Sequence, residues 1–298
     1  MCNKDDYLVM IGGRGYGVDP DNKTLYIGNN ANCGLYCNIG HGLYQSFVYV
    51  MNSNITKRGW NVVFSDMAAW GNHSADGQVL KYLFDTYDNA AVNIPENNKI
   101  MLAHWGTNAL QTTSTLKDVN KYFSACFKTN SELINMQEWF YKKYNLCYEE
   151  TLAVCHRGTN KWTECASAST QAWLDKAKKV LKDNPHLNRV LLQTDQEQMR
   201  DAFLAEFGAS CFFFEEIAAT TGKMVMHAVT KKEEKLKHTK NIHAAVYILA
   251  KHNYLINHAG NTGYAIAAYR GTAKNMWQFN CQGECTPPDI LHDVPDNA

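Results

Sequence analysis

The stretch Leu152-Ala-Val-Cys-His-Arg-Gly-Thr-Asn-Lys-Trp162 carries the strongest fold signal in this chain. Its apolar start, Leu152–Val154, predicts a buried strand, and the residues after it predict a turn that carries Arg157 and Lys161. Glu164 follows three residues after the lysine. Because ligands of α/β proteins bind at the carboxyl ends of strands, these charges indicate an anionic substrate and a proton transfer. The alternative interpretation is a buried strand followed by a solvated charged loop.

Predicted strands and helices alternate before this stretch, which is typical of an α/β layer. The predicted strands of the first half are Tyr7–Met10, Thr24–Gly28, Trp60–Phe64 and Lys99–His104, with a Gly/Asp/Asn-rich turn between the first two. The predicted helices are His41–Met51, Gln78–Tyr87 and a mostly helical Leu116–Tyr144. We therefore expect a first domain of residues 1–150.

The same alternation continues in residues 151–298 and predicts a second, doubly wound domain. Its predicted helices are Ser169–Lys182, Gln196–Phe207, Ile242–His252 and Thr262–Arg270. Its further predicted strands are Arg189–Gln193, Cys211–Phe214, Met224–Val229 and Tyr254–Asn257. The basic stretch Lys231–Lys240 is predicted as a solvated loop that could act as a flap.

The composition excludes several function classes. The 298 residues include 29 Lys plus Arg and 29 Asp plus Glu, so no basic field indicates a nucleic-acid partner. The amino terminus lacks the apolar segment of a signal peptide, and no run reaches the length of a membrane span. The sequence as given therefore predicts a cytoplasmic chain without a membrane partner. Its ten cysteines are expected to be free thiols, because a chain of this size needs no disulfide scaffold.

Two segments resemble the hallmarks of one enzyme family. The run Cys155-His-Arg-Gly-Thr-Asn-Lys161 resembles the His-x-Arg-Arg-Thr-Asp-Lys signature of α1,6-fucosyltransferases, whose superfamily includes the α1,2- and protein O-fucosyltransferases. The segment Asn32–Tyr44 is similar to their Gly-rich first loop, with matches at Cys33, Gly34, Cys37, Asn38, His41 and Tyr44. Weaker similarities lie at Leu191–Asp195 and Tyr254–Thr262. Two motifs in the family's order are more specific than either alone.

The resemblance implies a fold and an activity. The fold is GT-B, in which two Rossmann-like domains face each other across a cleft, here residues 1–150 on the acceptor side and residues 151–298 binding the donor. The activity is inverting transfer of a sugar, L-fucose from GDP-fucose, to a hydroxyl of a glycan or glycoprotein acceptor. No cofactor is expected, and no metal either, since several superfamily members need none. A local Cys33–Cys37 disulfide and, for part of a longer protein, a Golgi location would fit the same family.

The resemblance also implies roles for individual residues. Arg157 occupies the position of the family's donor-binding arginine and would stabilise the leaving diphosphate. Glu164 would be the general base that deprotonates the acceptor hydroxyl, with Lys161 as its partner, although their spacing is one residue shorter than in the family. The remaining predicted donor-binding residues are Gly34, Asn38, His41 and His156, which lie in the two motifs, and Thr194, Asp195, Asn261 and Thr262, which lie at predicted strand edges that should face the nucleotide.

Several positions depart from the family pattern and leave two alternatives open. Cys155 replaces a His, Gly158 the second Arg, Asn160 an Asp and Ala245 an acidic residue, and Gly260-Asn-Thr replaces a serine-rich loop. One alternative is the same fold with another donor, either a UDP-sugar or GDP-mannose. The other is a non-catalytic, fucosyltransferase-like binding module.

Overall fold

A computed structural model of the chain describes residues 16–19, 24–27, 61–64, 79–85, 116–117, 120, 124, 127–159, 168–221, 231–258, 260–280 and 283–286. The chain divides into two compact units, one of residues 1–130 with 291–298 and one of residues 131–290. The domain boundary predicted near Glu150, the acceptor and donor roles of the halves, and their arrangement across a cleft stay predictions.

The first unit contains a three-stranded sheet. Strand β1 (Tyr16–Asp19) pairs antiparallel with β2 (Thr24–Ile27), which pairs parallel with β3 (Asn61–Phe64). The predictions of β2 and β3 are confirmed, whereas β1 lies where a turn was predicted. The Gly and Asp in β1 have low strand propensity, but pairing along the full length of β2 outweighs that weak preference.

The helix predicted at Gln78–Tyr87 is wrong. Within the described residues 79–85, Leu80–Tyr82 form a single 3₁₀ turn, and Phe84 then makes a β-bridge to Thr129. The Asp85 amide donates to the Lys128 carbonyl at 2.8 Å, and the Phe84 ring packs edge-on against Phe127. These long-range backbone bonds satisfy donors that a helix would have used locally.

The predicted helix Leu116–Tyr144 is interrupted. Residues 116, 117, 120 and 124 are helical, but residues 127–130 form a turn and the bridge to Phe84, and a new helix α1 begins at Ser131 and ends at Lys143. The apolar spacing that predicts the helix continues across the break, so periodicity alone does not reveal it.

The second unit confirms the predicted α/β class. After α1, its elements in chain order are β4 (Thr151–Cys155), α2 (Thr170–Asp183), β5 (Arg189–Gln193), α3 (Glu197–Phe207), β6 (Cys211–Phe212), α4 (Lys235–Lys251), β7 (Tyr254–His258), α5 (Asn261–Arg270), β8 (Met276–Phe279) and β9 (Cys285–Thr286). The sheet order is β6-β5-β4-β7-β8-β9, and every neighbouring pair is parallel except β8 and β9. This order is that of a doubly wound fold.

Helices cover both faces of this sheet. On one face, alternate residues of the strands meet α2 and α3 in a single apolar core. That core contains Leu152, Val154, Val190, Leu192 and Ile256 from the strands, with Trp173, Ala177, Val180, Met199 and Phe203 from the helices. The helices α4 and α5 pack against each other, and α4 also packs against α1. The strands are consequently buried on both sides, which explains their continuous apolar sequences.

The predicted loop Lys231–Lys240 is wrong for most of its length. A 3₁₀ turn spans Lys232–Glu234, and α4 begins at Lys235. Lys and Leu are good helix formers, so local propensity supports an earlier helix start than the apolar spacing suggests. The Lys240 ammonium also donates to both carboxylate oxygens of Glu132 on α1, each at 2.7 Å, and this contact holds the first turns of α4 against α1.

Strands β8 and β9 were not predicted. β8 pairs with β7 from Leu255↔Met276 to His258↔Phe279, and β9 is a two-residue edge strand. The predicted elements Tyr7–Met10, His41–Met51, Lys99–His104 and Met224–Val229 lie outside the described residues.

Two further findings concern the described residues alone. None of their helices is long and apolar enough to cross a membrane. Cys147, Cys155, Cys211 and Cys285 are free thiols, whereas Cys33 and Cys37, which the resemblance would pair in a disulfide, lie outside this part of the chain.

Candidate functional site

The sheet of the second unit changes winding direction between β4 and β7. From β4 the chain proceeds outward through β5 to β6, then returns to place β7 on the other side of β4. The carboxyl ends of parallel strands at such a switch point form a crevice where α/β proteins bind ligands. The segments to consider are therefore those after β4, β5 and β7.

The segment after β4, residues His156–Thr159, is the centre of the candidate site. We call it the β4 segment. His156, Gly158 and Thr159 are buried, whereas Arg157 is half-buried and is the exception among the four. Arg157 is therefore the residue of this segment that keeps part of its surface exposed at the carboxyl edge of β4.

His156 is buried and connects the start of the β4 segment to Thr194 and Trp173. Its Nδ1 lies 2.8 Å from the Thr194 hydroxyl, and its ring packs edge-on against Trp173 with 5.1 Å between centroids. Burial lowers the pKa of His156 to about 4, although the negative charge of Asp195 opposes this shift. The imidazole is consequently neutral near pH 7, and its Nδ1 edge is occupied by protein.

Asp195 binds the other end of the β4 segment. One carboxylate oxygen, Oδ1, accepts a hydrogen bond from the Gly158 amide at 2.8 Å, and the other, Oδ2, accepts one from the Thr159 hydroxyl at 2.7 Å. The Asp195 carbonyl accepts from the Thr220 amide at 3.0 Å, which fixes the residue itself. The nucleotide contact predicted for Asp195 stays a prediction, but its carboxylate is engaged by the chain.

Thr194 links the two strands at this edge. It is buried, and besides its bond with His156 its hydroxyl accepts from the Gln196 amide at 3.2 Å, where α3 is about to begin. The register Cys155↔Gln193 explains this contact, because the next residues of the two parallel strands, His156 and Thr194, are then neighbours.

Gly158 lies where a side chain has no room. A Cβ built on its backbone would lie 2.2 Å from Oε1 of Gln196 and 2.7 Å from Cε1 of His156. These distances are far shorter than van der Waals contact. A residue with a Cβ could therefore occupy position 158, where the family has its second arginine, only if the Gln196 side chain or the His156 ring moved.

The segment after β7 holds the start of α5 tightly against the sheet. The Asn257 side chain donates to the Gly263 carbonyl at 3.0 Å, and its oxygen accepts from the His258 amide at 2.9 Å. A Cβ on Gly263 would lie 2.2 Å from the His258 carbonyl oxygen. Such close approach brings the amino end of a helix to the switch point, where its amides favour an anion.

The predicted site residues are thus brought together only in part. His156, Arg157, Thr194 and Asp195 converge at the ends of β4 and β5, and Asn261 and Thr262 open α5 beside β7. Gly34, Asn38, His41, Lys161 and Glu164 lie outside the described residues, so their roles stay predictions. The sequence did not single out Thr159, Asn257 or Gly263, because their roles arise from contacts with another strand or helix.

No metal centre is seen in the part of the chain that the structure describes, which contains no cluster of three His, Cys, Asp or Glu able to hold an ion. The sequence does contain the Asp-x-Asp triplet Asp19-Pro-Asp21, whose first residue ends β1 and whose last residue is not described. Metal independence accordingly stays a prediction.

No protein-family model and no curated protein matches this chain. Among solved structures, the fold is similar to that of the fucosyltransferase NodZ from Bradyrhizobium, with a TM-score of 0.46, 12% identity, and coverage of 85% of this chain and 94% of the other.

Two nucleotide complexes are similar as well. NodZ α1,6-fucosyltransferase co-crystallised with GDP has a TM-score of 0.39 and 14% identity, over 70% of this chain and 60% of the other. A variant of Arabidopsis thaliana FUT1 in complex with GDP has a TM-score of 0.37 and 10% identity, over 60% and 38%.

Proposed function

We propose that this chain is an inverting glycosyltransferase that transfers L-fucose from GDP-fucose to a hydroxyl of a glycan or protein. The observation that carries the proposal is Arg157, half-buried at the carboxyl end of β4 and beside the switch point of a doubly wound sheet. A guanidinium offers two parallel N–H donors that match two phosphate oxygens, and a rigid fork at this edge suits a nucleoside diphosphate.

The reaction assigns a role to each charged group of the sequence signature. The acceptor oxygen forms a bond to the anomeric carbon while the bond from that carbon to the diphosphate breaks, so negative charge builds up on GDP. Arg157 would stabilise that charge. Glu164 would take the acceptor proton, and Lys161 would hold the carboxylate in place, as the resemblance to the α1,6 family implies.

The proposal is tested first by nucleotide binding. GDP, UDP, CDP and their sugars are added to the protein in a thermal-shift assay, with and without EDTA. A ligand that binds the native state alone raises the melting temperature by mass action, so GDP and GDP-fucose should raise it in both conditions. Arg157→Ala should remove most of that shift. Lys182→Ala, which deletes an exposed cation near the end of α2, is the charge-matched control and should keep it.

Three outcomes would change the assignment. An unchanged GDP shift in Arg157→Ala would show that this arginine does not bind the diphosphate. A preference for UDP-sugars would support a nucleotide-sugar site but would show that the donor is a UDP-sugar and not GDP-fucose. A shift that appears only without EDTA would show that a metal takes part.

Turnover separates an enzyme from a binding module. GDP release from GDP-fucose is measured over a panel of glycan and glycoprotein acceptors. Arg157→Ala should lower kcat about 100-fold or more, the effect typical of removing one preorganised donor to a developing anion. Arg157→Lys keeps the charge but loses the fork, so it should recover only part of the rate. GDP binding without any turnover would favour the non-catalytic module.

A further inference from the structure

Three consecutive residues at the end of β5 hold the β4 segment on both sides of Arg157. Before the arginine, the His156 amide donates to the Gln193 carbonyl at 2.8 Å, and the His156 ring bonds the Thr194 hydroxyl. After it, the Asp195 carboxylate accepts from Gly158 and Thr159. The main chain is thus fixed to β5 immediately before and immediately after the arginine.

Asp195 is the strongest of these anchors. A hydrogen bond to an ionised acceptor is worth roughly twice a neutral one, and this carboxylate accepts two, one from a main-chain amide and one from a hydroxyl. Its own main chain is fixed, because its carbonyl accepts from Thr220 and the next residue bridges the same threonine. The carboxylate is therefore a rigid support rather than a mobile side chain.

We propose that Asp195 is a positioning residue that acts through Arg157. Through its bonds to the Gly158 amide and the Thr159 hydroxyl, it holds the β4 segment in the conformation that presents Arg157 at the carboxyl edge of β4, instead of touching the nucleotide itself. The identity of the bound anion rests on the proposed function. The support of the segment by Asp195 rests on the hydrogen bonds alone.

A double-mutant cycle on GDP affinity distinguishes support from direct contact. GDP dissociation constants are measured by calorimetry for the wild type, Asp195→Ala, Arg157→Ala and the double variant. Asp195→Ala should weaken GDP binding about tenfold to a hundredfold, the range for losing a charged hydrogen bond. In the Arg157→Ala background, the same change should weaken binding less than threefold, because the group that it positions is absent. Equal losses of GDP affinity in both backgrounds would overturn the proposal and would indicate that Asp195 contacts the nucleotide directly.

Conservative variants separate a positioning role from a merely structural one. Thr159→Val removes one of the two bonds to Asp195 and should weaken GDP binding several-fold, whereas Thr159→Ser keeps the hydroxyl donor and should restore the affinity. Asp201→Asn on the exposed side of α3 is the matched carboxylate control and should leave GDP affinity unchanged. If Thr159→Val left the affinity unchanged while Asp195→Ala merely lowered the melting temperature, Asp195 would be structural only.

Amide hydrogen exchange tests the support without any ligand. The Gly158 amide should exchange slowly in the wild type and in Asp201→Asn, somewhat faster in Asp195→Asn, which keeps an acceptor oxygen but loses the charge, and much faster in Asp195→Ala. If the wild type binds no GDP while this difference is observed, the proposed function fails and the support of the β4 segment stands. If exchange of the segment is the same in all four proteins, the positioning role fails, whatever the protein binds.

Discussion

At the scale of single residues, Gly158 decides how closely the β4 segment approaches α3. Gly158→Ala should lower the free energy of unfolding by about 1–3 kcal/mol, the usual cost of adding a methyl group where no space exists. The reason is that the new Cβ would meet Gln196 and the His156 ring, and the ring cannot yield because Thr194 and Trp173 hold it. Urea denaturation of the wild type and the variant measures the difference.

The Gln196 side chain, which the new Cβ would meet, allows a control experiment. Gln196→Ala removes the nearest obstructing atoms, so Gly158→Ala should cost less in the Gln196→Ala background than in the wild type. An alanine at position 158 that leaves both stability and GDP binding unchanged would contradict the close packing of the β4 segment against Gln196.

Gly158 also shows what a sequence can reveal about one residue. The resemblance to the α1,6 signature marks the position as a departure, because the family has an arginine there. The reason for the glycine lies in Gln196, which is 38 residues away and reaches the segment only through the register of β4 and β5. The sequence around Gly158 does not reveal that contact. The signature therefore predicts where Arg157 lies in the chain, but not the contacts with Gln196 and the end of β5 that hold the segment.

At the scale of elements, the contact between β7 and α5 sets the position of a helix amino end. By helix propensity alone, Gly263→Ala should stabilise α5 by about 1 kcal/mol. The contact predicts the opposite sign, since the added Cβ would lie 2.2 Å from the His258 carbonyl oxygen, which belongs to a central strand and cannot move aside. Loss of stability in urea denaturation, with weaker GDP binding, is the expected result.

A matched change elsewhere on the molecule tests whether glycine replacement as such is harmful. Gly208 ends α3 with a φ of 53°, and a Cβ added there would have nothing within 4 Å, so its replacement by alanine probes backbone conformation without a clash. Gly263→Ala should cost more than Gly208→Ala. Stabilisation by Gly263→Ala would mean that α5 does not approach β7 this closely.

Elements are predictable from the sequence where burial is complete and less so elsewhere. The strands β4, β5 and β7 are apolar because helices cover both faces, and their predicted bounds agree with the structure to within one or two residues. The first turns of α4 are polar and lie against α1. Their sequence therefore lacks the apolar spacing of a helix and resembles that of a loop. Strand β8 was not predicted because polar Gln278 interrupts its apolar pattern, although Gln278 is buried.

At the scale of the whole molecule, the alternation of strands and helices predicts a doubly wound domain but not the order of its strands. Order depends on which side of β4 the chain takes when it returns from β6 to β7, and the local alternation of strands and helices is the same for either side. The candidate site follows from the order, because the ends of β4, β5 and β7 become neighbours only then. The other part of the predicted site, around Gly34 and Glu164, lies outside the described residues.

Buried histidines make the stability of the molecule depend on pH. Burial lowers the pKa of His156 and His252 to about 4 and that of His243 to about 3, against 6.5 for an exposed histidine. From about one unit above pH 6.5 upward these groups are neutral in both the folded and the unfolded states, so they cause no pH dependence there. As the pH falls below 6.5 the unfolded chain binds protons that the folded chain rejects, and the free energy of unfolding decreases.

The decrease should be steep between about pH 6 and pH 4 and should level off for His156 and His252 below pH 4, where the folded protein binds the same protons. Each histidine lowers the free energy of unfolding by at most about 1.4 kcal/mol per pH unit. The three together would therefore remove much of the unfolding free energy of a domain, which is typically about 5–15 kcal/mol. Urea denaturation across this range measures the slope. His252→Gln should reduce the number of protons taken up on unfolding by up to one, and so lower the slope of the unfolding free energy against pH. A slope that is the same in the wild type and His252→Gln would show that His252 is not held neutral and buried in the folded protein.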